Sequence, residues 1–185
     1  MSVAQADASK PELCLQAQVR SADDGVSPTS LPQRDGPRIQ TSGRVPHVQL
    51  DVEPVSEINQ ALYRFAFSLP GVERRATVVS LPGAIGMWLD QSITIVRPKA
   101  IAGGREFSHI HTDGSLHLPL PPDRALELTD KGWGERHPWA ERRDGWEGFV
   151  MLFTPVSPRQ LQVVAQIIAE SYNFVTGQNA QVSAC

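Results

Sequence analysis

The apolar positions of the chain follow a helical period at two places. Between Val55 and Leu69 they recur at spacings of four, three and four, which predicts one buried face of a helix that stops at Pro70-Gly71. Ser157-Pro158-Arg159-Gln160 is a capping box with proline at the first helical position, and the apolar stripe after it predicts a helix that ends near Gly177. Two amphipathic helices therefore bound the predicted fold.

Short apolar segments between these helices predict strands. Residues 75–81 and 84–89 lie on either side of a proline-glycine turn, residues 92–96 are rich in β-branched side chains, and residues 149–153 predict a buried strand. The clearest hairpin spans residues 106–120, where polar and apolar positions alternate around Thr112-Asp113-Gly114.

The connections between these elements favour one fold class. Pro121-Pro122 opens a short third helix that stops at Gly132. Short hairpins favour an antiparallel sheet, because parallel neighbours need long crossovers. We expect an α+β fold, with an antiparallel sheet of four to five strands flanked by three helices. This element order also resembles the double-wing (YjbR-like) fold.

Composition changes abruptly near residue 47. Residues 1–46 contain five prolines and no Phe, Trp or Tyr. Such a segment buries too little apolar area to offset its ordering entropy, so we expect a disordered N-terminal tail over 1–46. The folded domain is then expected at 47–177, with a flexible tail at 178–185.

Bulk properties exclude several classes of protein. The chain has 185 residues, 41% of them hydrophobic and 20% charged, which suits one soluble domain. Its net charge of −3 disfavours nucleic acid as a partner. It shows neither a secretory signal nor ~18 consecutive apolar residues, so we expect no transmembrane segment. Two cysteines near opposite ends do not predict a disulfide scaffold.

Four of the five histidines cluster between residues 109 and 137. His109 and His111 share one face of a strand. A two-residue turn would put His117 on the opposite face, whereas a three-residue turn with Gly114 in the left-handed conformation would pair His109 with His117. We favour the second register, although it places Phe107 on the histidine face.

Grouped imidazoles on adjacent strands have two chemical uses. One is proton transfer near neutral pH, because the ordinary pKa of histidine is ~6.5. The other is a metal site of His109, His111 and His117, since neutral imidazole binds zinc, iron or copper. Alternatively, these are half-buried polar residues that hydrogen-bond carboxylates such as Glu106 or Asp113.

A second unusual segment surrounds three tryptophans. Trp133 lies between two glycines, next to Arg136 and His137, and Trp139 and Trp146 follow closely. Flat rings beside a cation suggest a wall over an aromatic or anionic ligand. Alternatively, the segment is a lid that covers the core.

These segments resemble the fungal luciferases and the bacterial luciferase-domain proteins grouped with them. The matching string is Glu-x-x-His-x-His, then Asp, Leu-His-Leu and Lys-Gly-Trp-Gly-x-Arg-His-Pro. In this sequence the string comprises Glu106, His109, His111, Asp113, Leu116, His117, Leu118, Lys131, Gly132, Trp133, Gly134, Arg136, His137 and Pro138. The resemblance covers about residues 105–177.

The resemblance implies an oxygenase that emits light without flavin or haem, and we expect no cofactor besides molecular oxygen. Molecular oxygen would be the co-substrate of a planar hydroxy-pyrone such as 3-hydroxyhispidin, or of a phenol. The residues expected to form the catalytic group are His109, His111, His117, His137, Arg136 and Asp113. The residues expected to bind substrate are Trp133, Trp139, Lys131 and Glu106.

Two other classes of function stay open. One is a metal-dependent enzyme with a divalent ion on His109, His111 and His117. The other is a non-catalytic module that binds a small ligand or a protein partner. Fungal members of the family carry a membrane anchor that is not seen here, so we expect a soluble, cytoplasmic protein.

Overall fold

The computed structural model describes residues 13–20 and 29–185. Its elements in chain order are β1 (Leu15–Val19), β2 (Gln40–Thr41), β3 (Gln49–Leu50), α1 (Ser56–Ala66), β4 (Val72–Ala76), β5 (Ile85–Leu89), β6 (Glu106–Ile110), β7 (Leu116–Pro119), α2 (Pro122–Asp130), β8 (Gly134–Arg136), β9 (Phe149–Leu152), α3 (Pro158–Thr176) and β10 (Ala180–Ala184).

One six-stranded antiparallel sheet organises these elements. Its strand order is β4-β5-β6-β7-β9-β8, so β6 and β7 lie in the middle. With three α-helices among the described residues, the predicted α+β class is confirmed. The sheet has more strands than expected because the tryptophan segment contributes β8. Glycine at 134 permits this strand, since a Cβ there would clash with the carbonyl oxygen of Met151 in β9.

The two faces of the sheet differ in chemistry. One face packs against the buried stripes of α1 and α3 and forms the main core, which includes Ile110, Leu118, Val150, Phe65 and Tyr172. The opposite face of β6 and β7 carries the histidines. This division follows the alternation of side chains along a strand, because each core leucine of β7 neighbours a residue that points the other way.

The predicted helices agree with the structure. Ser157 caps α3 by accepting a hydrogen bond from the backbone N–H of Gln160, and Gly177 ends the helix in the left-handed conformation. The predicted strand at 75–81 is wrong for most of its length. There, Thr77 Oγ1 and Val78 N donate to the carboxylate of Glu106, which draws the chain out of the ladder into a loop over residues 77–83. Residues 92–96 form no strand.

Segments outside the expected domain boundaries pack against it. In the expected N-terminal tail, Leu31 is buried and its backbone N–H donates to Glu127 in α2. In the expected C-terminal tail, β10 pairs with β1, and Cys14 is joined to Cys185 by a disulfide. The rest of the expected tail, residues 1–12 and 21–28, lies outside the described residues.

Membrane insertion of a helix is not indicated. Over residues 13–20 and 29–185, every helix is too short or too polar to cross a bilayer.

Candidate active site

The hairpin of β6 and β7 brings the histidines together. His109 pairs with His117 across the two strands, and the backbone N–H of His111 donates to the carbonyl of Ser115 at 2.8 Å. Gly114 has a φ of 83°, which is the left-handed conformation that the turn requires. The predicted three-residue turn and its register are therefore confirmed, and the three imidazoles share one face.

A β-bulge in β6 changes the face on which Phe107 lies. Met87 and Trp88, which are adjacent in β5, pair with Ser108 and Glu106, so Phe107 has no partner in the ladder. The ring of Phe107 is buried in the core and meets an aromatic ring of α3 edge to face. The expected position of Phe107 on the histidine face is therefore wrong, and the bulge is the reason.

A continuous chain of hydrogen-bond contacts crosses the site from Glu106 to Glu135. Glu106 Oε1 lies 3.2 Å from His109 Nδ1, and His109 Nε2 lies 3.1 Å from His117 Nδ1. His117 Nε2 lies 3.1 Å from His47 Nδ1, and His47 Nε2 lies 3.2 Å from Glu135 Oε1. The rings of His109, His117 and His47 therefore each contact a partner through both ring nitrogens.

His47 is a site residue that the sequence did not predict. It lies far along the chain from the other histidines and reaches the cluster from the connection between β2 and β3. Its ring stacks on that of His117 with centroids 5.2 Å apart. No sequence spacing points to it, because its place depends on two-residue strands that pack beside the main sheet.

Asp113 acts on His111 through Ser115. The hydroxyl of Ser115 donates to Asp113 Oδ1 at 2.8 Å and lies 2.9 Å from His111 Nδ1. Because the carboxylate only accepts, the hydroxyl proton points at Asp113, and the hydroxyl oxygen accepts from Nδ1–H of His111. This fixes the tautomer of His111 and leaves its Nε2 with a free lone pair.

His137 is held in the opposite tautomer. Its Nδ1 accepts the backbone N–H of Trp139 at 3.1 Å, so the proton of a neutral ring lies on Nε2. The ring lies 5.0 Å from His117 and 5.4 Å from Phe149, measured between centroids. His137 therefore offers a hydrogen-bond donor where His111 offers an acceptor.

A cavity of about 420 Å³ opens over the five imidazoles. Trp139, Trp146 and Phe149 form an aromatic wall, and Arg143 adds a cation whose guanidinium lies 4.3 Å from the ring of Trp146. The loop at 79–81 covers another side. The volume of the cavity lies within the range of roughly 300–1,000 Å³ that small-molecule sites occupy.

Burial keeps four of these imidazoles uncharged. It lowers the pKa of His111 and of His137 to about 4, and the repulsion that neighbouring imidazoles would exert on one another when protonated is a smaller cause. It lowers the pKa of His117 well below the ordinary value, and it lowers the pKa of His47 despite the hydrogen bond to Glu135. These four rings are therefore neutral at pH 7 and can act as bases or as metal ligands.

Glu106 orients His109 and does not line the cavity. Burial alone would raise its pKa, but hydrogen bonds from His109, Thr77 and the backbone of Val78 outweigh burial and lower it. Glu106 is therefore an ionised carboxylate. Its position differs from the substrate contact that the sequence analysis expected.

Three further residues of the predicted site lie away from the cavity. Trp133 is 3% exposed within the core, and its Nε1–H donates to the carbonyl of Pro32 at 2.6 Å. Arg136 donates to Glu141 Oε1 at 2.8 Å, and Lys131 follows the last residue of α2. The cation that lines the cavity is instead Arg143, which the sequence analysis passed over.

Comparison with known proteins connects this site to a family. Residues 104–171 match the family model described as Luciferase domain. The chain carries a luciferase domain. It is 32% identical over 171 residues to the luciferase of Armillaria mellea and 31% identical over 170 residues to that of Armillaria ostoyae. It is also 34% identical over 82 residues to the luciferase of Neonothopanus nambi.

These matches have a defined extent. The two Armillaria alignments cover 81% of this chain and 63% of each relative, and the Neonothopanus nambi alignment covers 41% of this chain and 30% of that relative. The chain therefore spans less than two thirds of the curated relatives it matches. No solved structure matches it. The luciferase domain contains His109, His111, His117 and His137, whereas His47 lies outside residues 104–171.

Proposed function

We propose that this protein is a luciferase-like oxygenase that adds molecular oxygen to a small planar hydroxy-pyrone or phenol. The supporting observation is the convergence of five imidazoles under one aromatic-walled cavity in a chain that carries a luciferase domain. A substrate such as 3-hydroxyhispidin is flat and has an acidic enol, so it suits both the aromatic wall and the bases.

The first step is ionisation of the substrate. Triplet oxygen reacts slowly with closed-shell molecules, so the substrate has to become an electron-rich anion. The lone pair on Nε2 of His111 accepts the enol proton, and the Ser115–Asp113 pair stabilises the imidazolium that forms. Arg143 lies in the same cavity and offsets the charge of the enolate.

The second step is addition of oxygen. Two electrons of the enolate form a carbon–oxygen bond, and the terminal oxygen becomes a peroxide anion. His137 donates from Nε2–H to this developing charge, as in an oxyanion hole. The peroxide then closes on the pyrone carbonyl, CO₂ leaves, and the proton on His111 returns to the product. Substrate and O₂ are thus converted into an oxidised product and CO₂.

Trp139 and Trp146 suit the cavity to a flat substrate. Both rings line the cavity, and Trp146 stacks on Phe149 with centroids 4.2 Å apart. Such a wall binds a planar ring over its face and excludes water, which would otherwise quench an excited product.

The experiment is an oxygen-uptake and light-emission assay with 3-hydroxyhispidin and a panel of related pyrones and phenols. We expect uptake with at least one enolic pyrone and CO₂ release in equal amount. Replacing His111 with Asn should reduce kcat at least 100-fold, because the base is lost. Absence of uptake across the panel, with folded protein, would contradict the proposal.

A further inference from the structure

Two ring nitrogens face each other across the hairpin in a way that neutral histidines do not explain. His109 Nε2 and His117 Nδ1 lie 3.1 Å apart. A hydrogen bond between them needs a proton on one of the two atoms. Each neutral imidazole carries one proton, so the position of that proton is decided by the contact at its other nitrogen.

For His109, the proton belongs on the side of Glu106. The carboxylate of Glu106 lies 3.2 Å from His109 Nδ1 and already accepts hydrogen bonds from Thr77 Oγ1 and the backbone N–H of Val78. An ionised carboxylate only accepts, so Nδ1 donates to it. His109 Nε2 is then a lone pair directed at His117.

The proton of His117 is positioned by its contact with His47. Glu135 also only accepts, so His47 donates to it from Nε2 and presents Nδ1 as an acceptor. His117 then donates from Nε2 to His47 Nδ1 at 3.1 Å. His117 Nδ1 is left as a lone pair that faces the lone pair of His109.

A third lone pair completes the group. His111 donates from Nδ1 to the Ser115–Asp113 pair and keeps its Nε2 free. Ring nitrogens of His109, His111 and His117 lie within 4.8 Å of one another. Three converging lone pairs repel each other unless a cation lies between them.

We infer that His109 Nε2, His111 Nε2 and His117 Nδ1 bind one divalent transition-metal ion. Ligand nitrogens about 2.1 Å from an ion in tetrahedral geometry lie ~3.4 Å from one another, close to the separation seen between His109 and His117. Imidazole donors suit zinc, iron, cobalt and copper. Three protein ligands leave a coordination position for a ligand in the cavity.

The surroundings of the three ligands match those of metal sites. In such sites, the second nitrogen of each histidine donates to a carboxylate or another acceptor, which fixes the tautomer. Here the acceptors are Glu106, Ser115 with Asp113, and His47 with Glu135. The three carboxylates also offset the charge of a divalent ion.

His47, His117 and His137 form a second group with nitrogens within 4.8 Å, but it lacks the free lone pairs. The backbone N–H of Trp139 occupies Nδ1 of His137, so Nε2 carries the proton. The proton on His117 Nε2 is already shared with His47. His137 is therefore the matched control for the three ligands.

A bound ion would change how the substrate is ionised, and this part of the inference rests on the proposed function. A hydroxyl coordinated to a divalent ion loses its proton more readily than a free one. The ion would then replace His111 as the cause of enolate formation, while Arg143 and His137 keep their roles. Metal binding itself does not depend on the reaction.

The test is metal analysis of untagged protein, followed by reconstitution of chelator-treated protein with Zn²⁺, Co²⁺ or anaerobic Fe²⁺. We expect about one ion per chain and, with Co²⁺, the visible absorption of a tetrahedral site. The variants H109N and H111N should lose at least 100-fold in affinity, whereas H137N should bind as tightly as the wild-type protein. Circular dichroism checks the fold of each variant.

Two results would overturn the inference. One is wild-type protein that takes up no stoichiometric ion under any of these conditions, which would mean that an extra proton separates His109 and His117. The other is equal loss of affinity in H111N and H137N. Oxygen uptake by metal-free protein would support the proposed function without the ion. Metal binding without oxygen uptake would support the metal site and contradict the proposed function.

Discussion

Glu106 Oε1 lies 3.2 Å from His109 Nδ1, although the two residues are three positions apart and a regular strand would put them on opposite faces. The bulge at Phe107 reverses the alternation and brings both to the histidine face. One extra residue in β6 thus gives the core an aromatic ring and gives His109 a buried carboxylate.

The first prediction concerns this carboxylate. Replacing Glu106 with Gln removes the charge that keeps the His109 proton on Nδ1, so metal affinity should fall about 10- to 100-fold. Competition with a chromophoric chelator measures this. Unchanged affinity in folded E106Q would show that Glu106 does not direct His109.

The second prediction concerns acid stability of the metal-free protein. Unfolded histidines titrate near ~6.5, whereas the folded pKa of His111 and of His137 is about 4. Between these values the unfolded chain binds more protons, so the free energy of unfolding falls as the pH decreases from 6.5 to 4 and is constant above 7.

His111 alone should contribute on the order of 3 kcal/mol to this loss. Urea unfolding at a series of pH values, in the presence of chelator, measures this loss of stability. In the H111N variant the free energy of unfolding should decrease less steeply as the pH falls. A stability that stays flat from pH 7 to 4.5 would contradict the burial of these rings.

The third prediction distinguishes the tryptophan that lines the cavity from the one that is buried in the core. Trp139 is 44% exposed and lines the cavity, so W139A should raise the KM of a planar substrate several-fold with little change in Tm. Trp133 is buried, so W133A should lower the free energy of unfolding by roughly 3–5 kcal/mol. Calorimetry and steady-state kinetics measure the two effects, and reversed effects would exchange the two assignments.

The fourth prediction concerns the cation of the cavity. Arg143 lies where an anionic substrate would bind, so R143A should raise KM about 10-fold for an enolic pyrone. K131A is the matched control, because Lys131 lies outside the cavity and should leave KM unchanged. Equal effects of both variants would indicate a general electrostatic contribution instead.

The fifth prediction concerns the disulfide between Cys14 and Cys185, which are separated by 171 residues. Reduction, or the change C14S, should lower the free energy of unfolding by roughly 2–5 kcal/mol, because a long closed loop restricts the unfolded chain. Urea unfolding with and without reductant measures this, and the double serine variant should not respond to reductant.

The same bond also tests the expected location. Disulfides are rare in the cytosol. An oxidised pair in protein isolated under thiol-blocking conditions would therefore contradict a cytoplasmic protein, and a fully reduced pair would agree with it.

Local signals in the sequence predicted much of the fold. The capping box at Ser157 and the glycine at 177 define α3, and the turn at Gly114 sets the register that pairs His109 with His117. These features depend on residues close together in the chain. Periodicity and turn chemistry are sufficient for them.

Long-range packing accounts for most of what was missed. His47 reaches the cluster through strands too short to leave a pattern, and the bulge at Phe107 depends on how β5 lies beside β6. Arg136 stands beside His137 in sequence but donates to Glu141, and Trp133 packs in the core with its Nε1–H on the carbonyl of Pro32. Adjacency along a chain does not determine which way side chains point.

The bond between Cys14 and Cys185 also has a mechanical consequence. It joins the two ends of the described fold, so a pulling force applied outside these cysteines is borne by a covalent link. Under tension the hydrogen bonds of the six-stranded sheet would carry no load until that disulfide was reduced. The hairpin of β6 and β7 would therefore be shielded from stretching in the oxidised protein and exposed to it in the reduced one.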